Sequence, residues 1–400
     1  MRKYNPYRNI FYYYRGPGYK KKSQFDTQIE DNTTKALVNV LENCRPGLLK
    51  RFLAIAGIDI RIQKAAEYDL QVEGLLSRPD AEIQIGDERV FIESKIGSAL
   101  EEKQIERHLA AIPKGFLVCI TPRDEDRGVI KRFNKKKLKF ITWREVYVDF
   151  DEYRKRSQYE VSNFVISEFL EYLEAISMAP FKGWEKGDFE AFLNIDYDPK
   201  RELRIRVKEK FKQYLFELKE LIGEVGSYVE LVPNVGFIKK DSTSVWGVLC
   251  KPPVENKVQK PHFNFWVNSD EFGLGIQIEG KHPAGMMRGY IKSNSERFVA
   301  ILKKLEGFNL IIQKRVNPTG RPRAFHGIEI LKLRLGGDIS NEDVRYVISK
   351  IDQYKLFQIN CGVSYKRNED VLGKESFLRK SAGLMKKLSE YYSFSWGRPT

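Results

Sequence analysis

The sequence is poor in the two residue types that most often bind transition metals. It has four cysteines and four histidines among 400 residues, and no two cysteines have the C-x-x-C spacing of a common zinc site. The scattered cysteines also argue against a disulfide framework, so we expect buried, reduced thiols. His262, His282 and His326 are far apart in the chain and show no metal-ligand spacing.

Long apolar runs are absent as well. No stretch approaches the roughly 18 apolar residues of a membrane span, and the basic, tyrosine-rich N-terminus has no apolar signal core. No nucleophile elbow with a Ser-His-Asp arrangement occurs. Gly273 and Gly275 are not followed by the lysine–serine pair and helix of a phosphate loop. We therefore expect a cytoplasmic protein with no membrane partner.

A strong excess of positive charge is what the sequence does have. Its 69 Lys and Arg residues against 54 Asp and Glu give a net charge of +15. Such a balance favours a polyanionic partner such as nucleic acid. The alternative is the Lys- and Glu-rich surface of a thermally robust protein. With 42% hydrophobic residues the chain is globular, and its length favours two domains.

Changes of pattern along the chain indicate four parts. Residues 1–23 are a basic, aromatic N-terminal arm, 24–178 a first domain, 179–199 a linker and 200–400 a second, α+β domain for substrate or partner recognition. The arm interleaves tyrosine with arginine and lysine. This composition suits stacking on bases, or alternatively an extended segment packed against the first domain.

The first domain is predicted to be an α/β sandwich around a small mixed sheet. The segment Gly115–Thr121 has the continuous apolar run of a strand buried on both faces. Ser98 and Glu101 have the spacing of a capping box that opens the next helix. The helix before the linker is expected to turn Phe164 inward. Apolar spacings of three and four indicate helices over 25–44, 48–55 and 161–178.

The second domain mixes strand-like and helical patterns. The stretch 262–280 alternates like a hairpin with aromatic residues on one side, which we interpret as core packing. Further predictions are strands near 228–250, 263–267 and 273–279, and helices near 200–222, 286–305, 341–353 and 374–391.

The stretch "RPDAEIQIGDERVFIESKIG" carries an unusual set of charges. It is predicted to be two short strands joined by the two-residue turn Gly86-Asp87, with glycine first. Residues equidistant from the turn then face each other, which sets Asp80 across from Glu93. Lys95 projects from the same face as Glu93, two residues further on.

Two carboxylates facing each other across a hairpin lie about 5 Å apart and repel unless a cation sits between them. Mg²⁺ needs only one or two carboxylates, since it keeps several of its waters. An adjacent lysine stabilises the charge that develops when a phosphodiester is hydrolysed. The alternative is a solvated face on which these charges form only salt bridges.

The "RPD" and "ESK" segments, separated by twelve residues, resemble the motif of the PD-(D/E)XK nuclease superfamily. The resemblance covers about residues 24–150. It implies a restriction-endonuclease-like mixed sheet flanked by helices, Asp80 and Glu93 as ligands of Mg²⁺ or Mn²⁺, and Lys95 as the catalytic lysine. It also implies DNA as the usual substrate, and a role in host defence or restriction is common in such proteins.

Two further positions follow from the same resemblance. Many members place a glutamate on the helix before the hairpin. Glu30 matches this position, which implies a catalytic role as an auxiliary ligand of the metal, and Asp26 matches it less well. In several lineages a glutamine on the helix after the motif contributes to the site, and Gln104 falls there. His108 shares a helical face with Gln104, and packing against Leu109 is favoured over proton transfer.

Basic runs elsewhere in the chain are candidates for contacts with phosphate, although turns on a basic surface would look the same. The residues concerned are Lys135, Lys136, Lys137, Arg321 and Arg323.

The sequence thus predicts a metal-dependent nuclease acting on DNA. A homodimer or an activating protein partner would suit cleavage of both strands. Two rivals stay open: a non-catalytic nucleic-acid-binding or scaffold protein, and an RNA-directed nuclease of the same fold.

Overall fold

The computed structural model places most of the chain in two compact units, divided between Pro180 and Phe181. Within the residues it describes, no helix combines the length and the apolar character needed to cross a membrane. All four cysteines are buried and free of disulfides. The described residues are 9–11, 22–62, 65–70, 77–96, 99–112, 114–122, 126–133, 135–193, 200–223, 230–239, 241–253, 258–316, 326–354 and 357–397.

The first unit is built on a five-stranded mixed sheet. Its strands are β1 (Glu67–Leu70), β2 (Ala81–Ile85), β3 (Glu88–Ser94), β4 (Gly115–Thr121) and β5 (Leu138–Thr142). The sheet follows the order of the sequence, β1 to β5. The first three strands are antiparallel, whereas β3, β4 and β5 run parallel.

Helices cover both faces of this sheet. They are α1 (Lys22–Asn43), α2 (Pro46–Ile55), α3 (Glu102–Ala111), α4 (Arg127–Phe133), α5 (Trp143–Arg156) and α6 (Glu160–Ala175). The face that carries Val90 and Ile92 packs against α1, α2, α5 and α6. The face that carries Phe91 and Leu117 packs against α3 and α4. Successive side chains of β3 therefore pack alternately into two separate apolar cores, as the sequence predicts for a buried strand.

Two details of the first unit differ from the sequence predictions. Phe164 is 57% exposed, because α6 buries Ser162 and Ile166 and a residue two positions from each points about 200° away on a helix. The capping box also lies elsewhere: α3 begins after Glu101 without a side-chain cap. A box of the same form is made by Thr142 and Glu145 at the start of α5, a helix that we did not predict.

The part of the predicted linker that the structure describes, residues 179–193, contributes aromatic side chains to a core. Phe181, Trp184, Phe189 and Phe192 are all buried in the core of the second unit. The prediction was based on the glycine and proline content of this stretch, and it gave too little weight to aromatic side chains that a core can bury. Of the N-terminal arm, residues 9–11 pack on the first unit, where Asn9 donates to the carbonyl of Glu168 at 2.6 Å.

The second unit is built on a seven-stranded antiparallel sheet. The strands are β6 (Val232–Val235), β7 (Ser244–Cys250), β8 (His262–Asn268), β9 (Glu271–Ile278), β10 (Asn309–Val316), β11 (His326–Arg334) and β12 (Phe357–Lys366). Their order across the sheet is β11-β10-β12-β9-β8-β7-β6. The helices are α7 (Lys186–Glu190), α8 (Lys200–Ile222), α9 (Lys281–Ser293), α10 (Ser295–Lys304), α11 (Asn341–Asp352), α12 (Ser376–Lys387) and α13 (Ser389–Ser395).

The predicted aromatic hairpin is present in this sheet. β8 and β9 pair antiparallel, and Phe263, Phe265 and Phe272 are buried in the core. We did not predict β10, β11 or β12. The second unit is thus an α+β structure with an antiparallel sheet, beside a first unit with a mixed sheet.

Candidate functional site

The β2–β3 hairpin has the register that the sequence predicts. Ile83 pairs with Val90 and Ile85 with Glu88, and Gly86 in the turn has a φ of 62°. This backbone conformation suits glycine because it has no Cβ. Asp80 directly precedes β2, so the hairpin brings it to the end of β3 that carries Glu93.

Asp80 is anchored to the backbone of β3. Its Oδ2 accepts a hydrogen bond of 2.8 Å from the backbone N–H of Ser94. Burial raises the pKa of Asp80 to about 7, and the negative charge of Glu93 contributes in the same direction. Glu93 is therefore close enough to Asp80 to disfavour the ionised form of Asp80.

Glu93 is the most enclosed member of the site, with a fully buried side chain. Its Oε1 accepts from Lys95 Nζ at 2.5 Å and from Gln104 Nε2 at 2.6 Å. Its Oε2 lies 3.0 Å from His108 Nε2. Three side chains from two elements thus fix both oxygens of this carboxylate.

Lys95 is a buried ammonium group surrounded by carboxylates. Besides its contact with Glu93, its Nζ donates to Glu30 Oε1 at 3.2 Å. Burial acts to lower the pKa of Lys95, but the charges of Glu93, Glu30 and Asp80 outweigh it and raise the pKa above its ordinary value. Lys95 is therefore charged at neutral pH. The indole of Trp143 donates to its carbonyl at 3.1 Å and so holds the backbone in place.

Glu30 reaches the hairpin from α1, on the opposite face of the sheet from Gln104. Its Oε2 accepts from the backbone N–H of Ile96 at 3.0 Å. One turn further along α1, the hydroxyls of Thr34 and Ser94 lie 2.6 Å apart and tie the helix to β3. The side chain of Asp26 lies outside the described residues.

Gln104 and His108 approach Glu93 from the same side of α3, one helical turn apart. His108 is 2% exposed, so it is buried, but its ring contacts a carboxylate as well as the apolar neighbours that the sequence suggested. A carboxylate accepts hydrogen bonds, so this contact has the geometry of a hydrogen bond donated by His108 Nε2 to Glu93. Its Nδ1 is buried, and the described residues provide no hydrogen-bond partner for it.

The role of His108 was missed in the sequence. The available signal was the spacing of four from Gln104, which places both side chains on one helical face. We assigned that spacing to packing because histidine sits well beside apolar residues such as Leu109. Only the structure shows that the same face points at Glu93.

The carboxylates fit a cation held by two protein ligands better than one held by three. Within the described part of the chain, no group of three or more histidine, cysteine, aspartate or glutamate side chains is arranged to hold a metal ion. Both oxygens of Glu30 already contact Lys95 and the backbone of Ile96. Both oxygens of Glu93 also contact side chains, so a cation there would have to displace a donor. The half-buried Asp80 and the fully buried Glu93 nevertheless face each other across the hairpin, and two carboxylates are enough for Mg²⁺.

The lysines of the first basic run are not beside this cluster. Lys135, Lys136 and Lys137 are exposed and precede β5. Across the parallel strands Glu93 lies beside Cys119, which pairs with Phe140. The three lysines precede Leu138, which pairs with Leu117, so they lie at the end of the sheet toward the turn of the hairpin. Arg321 and Arg323 lie outside the described residues.

Comparisons with known proteins give no independent identification. No model of a known protein family matches the chain, and no curated protein matches it. The argument for function therefore depends on the chemistry of the cluster itself.

Proposed function

We propose that this protein is a metal-dependent phosphodiesterase that hydrolyses DNA, with a first unit of the PD-(D/E)XK, restriction-endonuclease-like type. One observation carries the proposal: Asp80, Glu93 and Lys95 meet at one end of a hairpin. Glu30 and Gln104 join them from helices on opposite faces of the sheet. A charged face with only a structural role would not need groups from four elements to converge.

In this proposal Asp80 and Glu93 hold Mg²⁺ or Mn²⁺, and Glu30 assists through Lys95. When bound, the cation would neutralise phosphate charge and activate water. Lys95 keeps its proton and can donate it as a hydrogen bond to a phosphate oxygen as negative charge develops there. Gln104 and His108 hold Glu93 in one orientation, so its carboxylate need not reorganise during the reaction.

The test is cleavage of supercoiled plasmid and of linear single-stranded DNA by purified protein with Mg²⁺, Mn²⁺ or EDTA. We expect cleavage that needs the metal and is lost in Asp80→Ala and in Lys95→Ala. Asp87→Asn is a matched control, since this acid lies in the turn of the same hairpin with a side chain 91% exposed. An RNA of the same sequence separates a deoxyribonuclease from an RNA-directed enzyme.

A non-catalytic role in binding nucleic acid is the rival, and one observation favours it. Every oxygen of Glu93 already accepts a hydrogen bond from the protein. If wild type cleaves nothing with either metal, and calorimetric binding of Mn²⁺ survives Asp80→Ala, the catalytic proposal is wrong.

His108 offers a more selective prediction. His108→Leu removes the hydrogen bond to Glu93 with little change in volume, and we expect cleavage to fall about 10- to 100-fold, as for other groups that orient a metal ligand. His108→Gln retains a donor and should keep most of the activity. Initial rates at saturating Mg²⁺ measure both. Equal losses in the two variants would show that His108 matters only for packing.

A further inference from the structure

The large sheet of the second unit has two different faces. One is apolar: Phe265, Leu274 and Ile359 belong to a single core that also contains side chains of α8 to α13. Since side chains alternate along each strand, the residues between these positions lie on the other face. We call that opposite face the open face. It is polar and aromatic from Trp246 across to β10, whereas Val248, Cys250 and His262 on the same face are buried.

Two tryptophans lie side by side on the open face. Trp246 on β7 and Trp266 on β8 are direct partners in the antiparallel register. Glycines lie beneath them: a Cβ at Gly236 would meet the ring of Trp246, and one at Gly273 would meet the ring of Trp266 at 1.9 Å. The rings therefore rest against bare backbone. Trp246 is 38% exposed, so an aromatic surface faces outward.

Side-chain amides continue this surface across the sheet. Gln277 pairs with Asn360, and Gln358 pairs with Gln313. Asn264 pairs with Gly275 on the neighbouring strand, and Gly275 pairs in turn with Gly362. Next to Asn264 the open face therefore consists of glycine backbone with no side chains. All five amide side chains are half-buried, which leaves part of each accessible.

Two cations and one acid border the open face on the side of β11, where the exposed Glu329 is the register partner of Gln313. Lys332 is the register partner of Ile311, and Arg334 is the register partner of Asn309. On the other side of β10, Ile311 pairs with Asn360 and Asn309 pairs with Gly362. Both cations are exposed. The second unit as a whole carries 38 Lys and Arg residues against 27 Asp and Glu, which is most of the excess charge of the chain.

We propose that the open face binds an unpaired DNA strand. Bases stack on aromatic side chains whatever their sequence. Asn and Gln amides present a donor and an acceptor together, which suits the edges of bases such as adenine. Lys332 and Arg334 contact phosphates at the border. A neutral oligosaccharide would also use tryptophans and amides, but the positive charge of this unit favours a polyanion.

This inference depends on the proposed function only for the choice of DNA, and it deepens that function by naming a single strand as the form that is bound. The experiment therefore measures binding without cleavage. A fluorescein-labelled strand of about 15 nucleotides, within the range that one binding module covers, is titrated with the full chain in EDTA and followed by anisotropy.

We expect Trp266→Ala and Trp246→Ala each to weaken binding about tenfold, since a stacked base contributes that order of affinity. Trp266→Phe should restore most of it. Tyr346→Ala is the matched control, because this aromatic is 50% exposed on α11, which packs on the apolar face. Lys332→Ala with Arg334→Ala should lower the slope of log affinity against log salt by about 0.7 for each cation.

Several results would overturn the inference. Unchanged affinity in both tryptophan variants, with the salt slope also unchanged in the lysine–arginine variant, would place the strand elsewhere. Equal loss in Trp266→Ala and Tyr346→Ala would do the same. Tighter binding of a duplex of the same sequence would exclude a single-strand site. Failure of the nuclease proposal would give a different result. The strand would still bind in a way that depends on the tryptophans, but the protein would not cleave DNA with either metal.

Discussion

Asp80→Asn is expected to abolish cleavage and at the same time to stabilise the metal-free protein at pH 8. Loss of one of two metal ligands should reduce the rate of cleavage on the order of 10³-fold. Burial and the charge of Glu93 raise the pKa of Asp80 to about 7. In EDTA at pH 8 the ionised Asp80 therefore lowers the stability of the wild-type protein. Asparagine removes that charge, and its side-chain oxygen can still accept from the backbone of Ser94.

The stability difference should depend on pH in a defined direction. The pKa of Asp80 is higher in the folded chain than its ordinary value of 3.8. Its ionisation therefore lowers stability progressively as pH rises from about 4 to about 7. Near pH 4, Asp80→Asn and wild type should have the same free energy of unfolding. At pH 8 the free energy of unfolding of Asp80→Asn should be higher by about 2–4 kcal/mol.

Hydrogen exchange of peptides from β3, measured in EDTA at several pH values, reports on the first unit separately from the second. Asp87→Asn removes the same charge from the exposed turn and should change neither activity nor exchange. An Asp80→Asn protein that still cleaves DNA, or that opens more easily at pH 8, would remove the argument that this carboxylate is held for a cation.

The hairpin could be predicted because its information is local. A glycine-first turn sets the register, the register sets which residues oppose each other, and both follow from a few adjacent residues. Glu30 and Gln104 needed more. The helix of Glu30 was predicted from apolar spacing, and the helix of Gln104 from a capping box that the structure does not form. Only the resemblance to a nuclease family suggested that both residues approach the hairpin. The structure shows their contacts with Lys95 and Glu93.

What could not be predicted depends on contacts distant in sequence. β12 lies between β9 and β10, so its partners are separated from it by helices and loops. β1 has only four residues, too few to show a period. His108 could not be assigned because a histidine beside apolar residues has the same pattern whether it packs or donates to a buried carboxylate.

The second large effect is expected for Lys95→Met, which removes the ammonium group and keeps most of the side-chain stem. Glu93 is fully buried, and Lys95 is its cationic partner at 2.5 Å, with Glu30 and Asp80 close by. Removing one partner of a buried ion pair leaves an uncompensated charge and costs about 3–5 kcal/mol. We therefore expect a strongly destabilised first unit at pH 8 as well as loss of cleavage.

Lys155→Ala is the matched control for this variant. Lys155 pairs with Asp151 at 2.7 Å, nearly the same distance, but its side chain is 64% exposed. Exposed pairs contribute only about 0–1 kcal/mol, because water solvates each charge when the other is removed. Hydrogen exchange of β3 peptides should change clearly in Lys95→Met and hardly at all in Lys155→Ala.

The response of Lys95→Met to divalent cations then separates a cation site from a structural salt bridge. Without the ammonium group, Asp80, Glu93 and Glu30 have no positive charge among them, so Mn²⁺ should bind the folded variant and stabilise it more than it stabilises wild type. Lowering the pH below about 7 should also reduce the defect, since burial and Glu93 raise the pKa of Asp80 to about 7, and protonated Asp80 no longer repels Glu93. A defect that acid relieves and Mn²⁺ does not would mean that these carboxylates fail to hold a metal, and the cluster would then be only a buried ion pair.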